Sequence, residues 1–204
     1  MSDGWPTTNP DVRITHVEVL SDSWYTLRRV DFDHRDHTGR WSRQQREAYD
    51  RGNGATVLLV DWEQETVVLT RQFRMPAYVN GHPDGMLIEA AAGLLDSDDA
   101  ATAVRREAEE ETGYRVRSVV PLFELFMSPG SVTERVAFFV AEYTVDDRIS
   151  RGGGVAEEGE QIDVVELTLD DALAGVASGR IADGKTVLLL QWADLERRRR
   201  AGAA

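Results

Sequence analysis

The chain has 204 residues, of which 42% are hydrophobic, so it is long and apolar enough for one domain with a buried core, and global disorder is excluded. Its 23 basic and 36 acidic residues give a formal net charge of −13, which repels polyanions and argues against general binding to nucleic acids or anionic membranes. Cysteine is absent, which excludes disulfides, thiolate metal sites and a thiol nucleophile and agrees with a cytoplasmic location.

The predicted elements are a mixture of α and β. Short runs rich in β-branched and aromatic residues predict strands over 12–20, 24–33, 40–50, 55–61, 66–73, 116–126, 134–144 and 162–168. Helical periodicity predicts helices over 98–112, about 170–178 and about 185–197. Turn-forming residues predict loops over 76–85 and over the acidic, glycine-rich stretch 145–161. Because the strands are mainly linked as hairpins, the pattern argues against a regular βαβ array.

Neither end of the chain predicts a targeting or nucleic-acid-binding element. The N-terminus has no basic region followed by an apolar one, and no apolar run approaches the roughly 18 residues that span a bilayer. The four arginines at 197–200 predict a solvated helix end in preference to a nucleic-acid-binding patch, since basic residues favour a helix C-terminus.

The negative charge is concentrated in two segments. Residues 96–111 carry a net charge of −5 and residues 142–171 carry −8, so the rest of the chain sums to zero. In the first segment, Glu107 and Glu111 are four residues apart on the predicted helix and share one face, and Glu110 flanks it. Like charges at this spacing repel, and a divalent cation such as Mg²⁺ would remove the repulsion. The alternative interpretation is a solvated acidic helix face.

Two neighbouring features favour the metal site. Arg106 is four residues from Glu110 and can orient its carboxylate. Upstream, residues 92–96 (Ala-Gly-Leu-Leu-Asp) predict a small-residue turn that leads into the helix. The backbone of this turn can approach the carboxylate face closely because Gly93 has no side chain.

These residues resemble the sequence signature of the Nudix hydrolase family. The second half of that signature, Arg-Glu-U-x-Glu-Glu-x-Gly-U with U bulky and apolar, is matched by Arg106, Glu107, Glu110, Glu111, Gly113 and Tyr114. The loop before the helix departs from the signature, because it is one residue shorter and has Asp98 where the family has glutamate. Pro129, sixteen residues after Gly113, resembles the marker of the nucleotide-sugar branch, although on its own it also fits an ordinary turn.

Further stretches, among them 49–55 (Tyr-Asp-Arg-Gly-Asn-Gly-Ala), 127–130 (Met-Ser-Pro-Gly) and 183–190 (Asp-Gly-Lys-Thr-Val-Leu-Leu-Leu), extend the resemblance over roughly 12–195 to bacterial members of this family that hydrolyse GDP-mannose. The resemblance implies that Mg²⁺, with Mn²⁺ as a substitute, is held by the carbonyl of Ala92 and the carboxylates of Glu107, Glu111 and Glu160. It implies catalytic roles for Glu111, for Glu110 in support, and for Glu160, which would complete the metal cage or act as a base.

The loop carboxylate has more than one candidate. The late acidic segment is two residues longer than in the resembling proteins and has Gln161 in place of an acid. Glu157, Glu158 and Glu160 therefore all remain candidates, and Glu160 is favoured because it lies two residues before the apolar residue that starts the next strand.

The resemblance and the match between arginine and phosphate together predict the substrate-binding positions. These are Trp24, Gln45, Arg46, Glu47, Arg51, Arg74, Ala92, Gly93, Leu94, Glu134 and Lys185. Trp24 would stack on a base, and the arginines would contact phosphate. The alternatives are a core tryptophan, ordinary surface salt bridges and a lysine that simply begins the last helix.

The implied fold is α/β (α+β): a Nudix α/β/α sandwich with a mixed, curled sheet, preceded by an N-terminal antiparallel β segment. We expect a disordered tail over 1–11, the β segment over 12–52, the hydrolase domain over 53–197 and a frayed tail over 198–204. The resemblance implies that the β segment crosses to a partner in a domain-swapped homodimer. Three strands that cannot form a core alone fit that expectation.

The implied activity is Mg²⁺-dependent hydrolysis of GDP-mannose to GMP and mannose 1-phosphate. Hydrolysis of ADP-ribose to AMP and ribose 5-phosphate is the alternative within the family, and a non-catalytic sensor of nucleotide sugars is the alternative of another class. The sequence has no Gly-x-Ser-x-Gly elbow and no Walker loop to support a different mechanism. The base, the sugar, the bond cleaved and the number of metal ions stay open.

Overall fold

The computed structural model describes residue 5 and residues 8–95, 99–155 and 161–202. The chain divides into two structural units. The first consists of Met1–Asn53 with Phe126–Arg135, and the second of Gly54–Leu125 with Val136–Ala204. The boundary at Asn53 lies next to the predicted one, but the prediction did not group Phe126–Arg135 with the N-terminal segment.

The first unit is built on a three-stranded antiparallel sheet. Its strands are β1 (Val12–Asp22), β2 (Thr26–Arg35) and β3 (Trp41–Asp50), in that order across the sheet. Within these strands, all of which are described, only Val30 is buried. The N–H of Tyr49 on β3 donates to the Ser131 carbonyl at 2.8 Å, which attaches the later segment to the sheet.

The second unit contains a seven-stranded mixed sheet. Its strands are β4 (Gly54–Asp61), β5 (Thr66–Phe73), β6 (Met86–Glu89), β7 (Ala91–Leu94), β8 (Val120–Phe126), β9 (Arg135–Glu142) and β10 (Ile162–Thr168). The order is β10-β5-β4-β9-β8, with β6 on β5 and β7 on β4. The pair β4–β9 is parallel, whereas β5 pairs with β4, β6 and β10 in antiparallel fashion.

Helices cover both faces of this sheet. A short helix, α1 (Met75–Val79), follows β5, and the helices that pack on the sheet are α2 (Ala100–Thr112), α3 (Leu169–Ser178) and α4 (Gly184–Gly202). Val57 and Leu59 of β4 share an apolar cluster with Val104 of α2. Leu58 and Val60 are also fully buried and point to the opposite face, where α4 packs on β4. The predicted α/β/α sandwich with a mixed sheet is therefore confirmed.

Several predicted elements differ from the structure. The predicted strand over 116–126 begins only at Val120, and the predicted loop over 145–161 begins with a short 3-10 helix at Val145–Asp147. Residues 76–85, predicted as a loop, begin with the short helix α1. Residues 91–94 form a strand and not the predicted turn, because their backbone pairs with β4 in the register Thr56↔Ala92, a tertiary contact that overrides the weak strand propensity of alanine and glycine.

The last helix also differs from its prediction, because it continues past Arg197 to Gly202. Arg198, Arg199 and Arg200 extend it with ion pairs to Asp194 and Glu196 at 2.7–3.1 Å. The basic end of the helix is therefore paired with carboxylates of the same chain. Within the described ranges, no helix is long and apolar enough to cross a membrane.

Candidate active site

Helix α2, which carries the predicted carboxylates, is capped at both ends. The side chain of Asp99 accepts hydrogen bonds from the N–H groups of Ala101 and Thr102. Hydrogen bonds from the side chain and backbone of Thr102 lower the pKa of Asp99. At the other end, Gly113 adopts a left-handed conformation (φ 78°), and its N–H donates to the Glu109 carbonyl. The helix therefore has fixed ends on either side of its glutamates.

The backbone of β7 lies directly against this helix. A Cβ built on Gly93 would fall 2.3 Å from the Cδ of Glu107 and 2.6 Å from its Oε1, so any side chain here would require the Glu107 carboxylate to move. The Ala92 N–H donates to Oε2 of Glu111 at 3.3 Å, and Glu111 is only 2% exposed. The structure thus brings Ala92, Gly93, Glu107 and Glu111 together.

Arg106 bridges two of the glutamates on the exposed side of the helix. It lies 3.1 Å from Oε2 of Glu110, the predicted pair, and 2.9 Å from Oε1 of Glu107. A guanidinium at this place offsets part of the repulsion among the carboxylates and fixes their rotamers.

The arrangement fits a hard divalent cation. Mg²⁺ prefers oxygen ligands. Here they are supplied by the buried Glu111 carboxylate, the Glu107 carboxylate next to Gly93 and the nearby strand backbone. Among the described residues, no group of three or more His, Asp or Glu side chains is arranged to hold a metal. Glu160, together with its alternatives Glu157 and Glu158, lies outside the described residues.

A glycine segment joins the C-terminal end of α2 to the acidic segment. The N–H of Gly153 donates to the Glu111 carbonyl at 2.9 Å, and the N–H of Gly154 donates to the Glu110 carbonyl at 3.1 Å. A Cβ on Gly152 would lie 2.4 Å from the same Glu111 oxygen. The carbonyl of Gly153 also accepts from the N–H of Ile162 at 3.3 Å. Both ends of the stretch that contains the candidate loop carboxylates are therefore anchored beside α2.

A second cluster brings together two predicted substrate-binding cations. Nε of Arg74 lies 2.7 Å from Oε2 of Glu89, and Nζ of Lys185 lies 3.7 Å from Oε1 of the same carboxylate. Lys185 also donates to Oδ1 of Asp183 at 2.7 Å. The residues come from the end of β5, from β6 and from the start of α4, so their meeting depends on the tertiary fold.

Asp183 and Thr186 tie this cluster to the sheet. The Thr186 hydroxyl donates to Oδ2 of Asp183 at 2.7 Å and accepts from the Ala90 N–H at 2.7 Å. Burial raises the pKa of Asp183, but the Lys185 charge and hydrogen bonds from Lys185 and Thr186 outweigh it, so the net pKa lies below its ordinary value of 3.8. Asp183 is therefore ionised at neutral pH and holds the ammonium in place.

Four of the predicted substrate positions in the first unit form two groups. Arg46 and Glu47 line an open pocket of about 550 Å³ together with Pro129 and its neighbours. Arg51 lies 3.4 Å from Glu134 and stacks over the Tyr25 ring at 5.6 Å. Arg51 and Glu134 are thus paired with each other, whereas Arg46 and Glu47 border the pocket.

Two further positions in this unit stand at its surface. The Trp24 side chain is exposed (83%), and its ring lies edge-on to Tyr25 at 6.3 Å between ring centroids. It is therefore not the core tryptophan of the alternative interpretation. Gln45 donates to Oδ1 of Asp31 at 2.7 Å.

Sequence reasoning missed Glu89 and Asp183. Glu89 was detectable in principle, because it is the one acid within the run Met86–Leu94, which is otherwise apolar or glycine. Leu94, the last of the predicted positions, pairs with Gly54 at the edge of β7 and is partly buried.

Comparison with known proteins gives concordant matches. A family model described as the GDP-mannose pyrophosphatase NudK N-terminal domain matches residues 11–49, and a NUDIX domain model matches residues 50–190. The GDP-mannose pyrophosphatase of Yersinia pestis (strain Pestoides F) is 57% identical over 186 residues, which cover 90% of this chain and 93% of the relative. That of Salmonella arizonae is 54% identical over 182 residues, which cover 89% of this chain and 94% of the relative.

A solved structure shares the fold. It is described as a crystal structure of an ADP compounds hydrolase and superimposes with a TM-score of 0.71. The match covers 93% of this chain and 96% of that one, at 18% sequence identity.

Proposed function

Since this chain belongs to the Nudix family, we propose that it hydrolyses the diphosphate of a nucleotide sugar, with GDP-mannose as substrate and GMP and mannose 1-phosphate as products. The observation that carries the proposal is the approach of Gly93 to Glu107 beside the buried Glu111. A structural helix gains nothing from two carboxylates four residues apart, whereas a diphosphate hydrolase needs them.

Family members generally use divalent metal ions. In this chain Glu107, Glu111 and the Ala92 carbonyl would hold Mg²⁺, with Mn²⁺ as a substitute, and Glu160 would complete the set. The bound ion would neutralise the diphosphate and lower the pKa of a water molecule. Glu110 supports the site through its pair with Arg106, which limits the movement of the neighbouring carboxylates.

Binding of the nucleotide sugar is assigned to side chains that offer charge and stacking surface. Arg74 and Lys185 present their donors to phosphate oxygens in the second unit. In the first unit, the exposed ring of Trp24 is suited to stacking on a base, and Arg46, Glu47, Arg51 and Glu134 offer polar contacts.

A homodimer with a swapped N-terminal β segment belongs to the same proposal. Its support is that Val30 alone is buried in the described strands of that sheet, which leaves it short of a core of its own. Size-exclusion chromatography with light scattering would give twice the 22.8 kDa chain mass, and a monomer at micromolar concentration would contradict it. We also place the protein in the cytoplasm, which cell fractionation would test.

The test of activity is a panel of nucleotide sugars incubated with Mg²⁺ or with EDTA, with products separated by ion exchange. We expect GMP and mannose 1-phosphate from GDP-mannose in Mg²⁺ only. Faster release of AMP from ADP-ribose would overturn the substrate assignment. Binding of a nucleotide sugar without Mg²⁺-dependent product would instead support a sensor. Reaction in ¹⁸O-labelled water would then identify which phosphorus is attacked.

A further inference from the structure

Glu89 is a buried acid in an apolar setting. Its side chain is 5% exposed, and its neighbours on the strands are Ile88, Ala90 and Ala91. Replacing a buried ion pair by an apolar side chain is often neutral or stabilising, so stability alone gives no reason for an acid here.

The contacts of Glu89 fix the direction of Arg74. Both Nε and Nη2 of Arg74 lie 2.7 Å from Oε2 of Glu89, so one edge of the guanidinium is occupied. Its other edge carries the remaining donors and points away from Glu89 because the group is planar. The Arg74 side chain is 40% exposed and has no other side-chain partner among the described residues. Its backbone N–H is held by the Gly85 carbonyl at 2.8 Å.

Lys185 is fixed by the same carboxylate and a second one. The Glu89 carboxylate is 3.7 Å from Nζ, and Asp183 is 2.7 Å from it on the other side. Two cations and two acids give the cluster no net charge. The cluster would therefore bind an anion through hydrogen-bond donors that are held side by side in fixed directions, more than through a net positive charge.

We propose that Glu89 is a positioning residue that holds Arg74 and Lys185 as a preorganised pair of donors for the phosphate oxygens of the substrate. The proposal rests on the proposed hydrolysis of a nucleotide sugar. Glu89 does not itself touch the substrate, since its carboxylate would repel a phosphate. It acts by keeping two flexible side chains in one geometry.

The test compares Glu89→Asp and Glu89→Gln with wild type in the Mg²⁺-dependent assay. The aspartate keeps the charge but withdraws the carboxylate by about 1.5 Å, one C–C bond. We expect both variants to raise KM about tenfold while kcat changes less than about threefold. Aspartate should leave the melting temperature close to that of wild type, because the buried charges stay balanced.

A mutant cycle separates positioning from general stability. In an Arg74→Gln/Lys185→Gln background, which already has a raised KM, Glu89→Gln should add less than about twofold, because both side chains through which it acts are missing. A full tenfold effect in that background would overturn the proposal. A wild-type KM in Glu89→Asp would also overturn the proposal, and so would failure of both Glu89 variants to fold. Either result would make Glu89 a purely structural residue.

Asp194 provides the matched control. It is also buried and also bridges two cations, Arg197 at 2.9 Å and Arg198 at 2.7 Å, but it lies far along α4 from Lys185. Asp194→Asn should lower the melting temperature and leave KM unchanged. Wild-type protein without hydrolytic activity would refute the proposed function itself, whereas active wild type with unaltered Glu89 variants would refute only this inference.

Discussion

A Cβ on Gly93 would lie 2.3 Å from the Cδ of Glu107, so the helix glutamate occupies the space that any side chain at position 93 would need. The contact joins β7, which pairs with β4, to helix α2, which packs over both strands. The position of the Glu107 carboxylate is therefore set by the backbone of β7 as well as by its own helix.

Gly93→Ala should displace Glu107 and lower kcat/KM by about a hundredfold, because a shift of about 1 Å at a reacting site has that effect. The measurement is a Mg²⁺ titration of the hydrolysis rate. Gly202→Ala, at the exposed end of α4, is the control, since a Cβ there meets nothing within 4 Å and its backbone is not left-handed. An alanine variant at position 93 with wild-type activity and Mg²⁺ dependence would show that the close approach has no functional role.

Glu111→Gln should keep the fold and lose activity. The amide oxygen can still accept the Ala92 N–H, but the charge that would bind metal is gone, and we expect a loss of at least about a hundredfold. Differential scanning fluorimetry provides an independent measurement, because Mg²⁺ should raise the melting temperature of wild type only. Glu109→Gln, on the same helix but 40% exposed, should behave as wild type. Retained activity in Glu111→Gln is incompatible with the proposed hydrolase.

Gly152→Ala should destabilise the end of α2 by about 3 kcal/mol, from left-handed strain together with the clash at the Glu111 carbonyl. Gly179→Ala separates the two effects, because Gly179 has a similar φ of 80° but no atom within 4 Å of a built Cβ. Its cost should be about 1 kcal/mol. Urea unfolding of both variants measures the difference, and equal costs would mean that the contact with α2 contributes nothing.

The pKa of Asp183 predicts a pH-dependent stability. Because its folded pKa is depressed below 3.8, its contribution is fully present above that value and is lost as the pH falls through the folded pKa. Asp183→Asn should cost about 3 kcal/mol near neutral pH, and the difference from wild type should shrink toward pH ~3. Urea unfolding across this range tests it, with the exposed Asp163→Asn as control. A difference that does not change with pH would contradict the assignment.

Local patterns predicted much of the fold. Strands β5 and β10 have the same bounds as predicted, because β-branched residues and flanking turns mark both ends. Strands β6 and β7 were missed, since the run from Met86 to Leu94 is rich in small residues and becomes strand only by pairing with β4 and β5.

The site shows the same division between local and tertiary information. The contact of Gly93 with the glutamate face follows from sequence spacing, because both lie within one short segment. The cluster around Glu89 does not, since its cations come from Arg74 and Lys185, on elements far apart in the sequence. Periodicity within one segment does not predict contacts between residues so far apart in the sequence.

The hydrogen bond between the Gly153 carbonyl and the Ile162 N–H has a consequence for chain entropy. The entropic cost of closing a chain segment rises only with the logarithm of its length, by about 0.6 kcal/mol for each doubling. Once the two ends are fixed, two additional residues between them change the free energy of folding very little. An acidic segment of a different length can thus connect the same two ends while Glu111 and β10 keep their places.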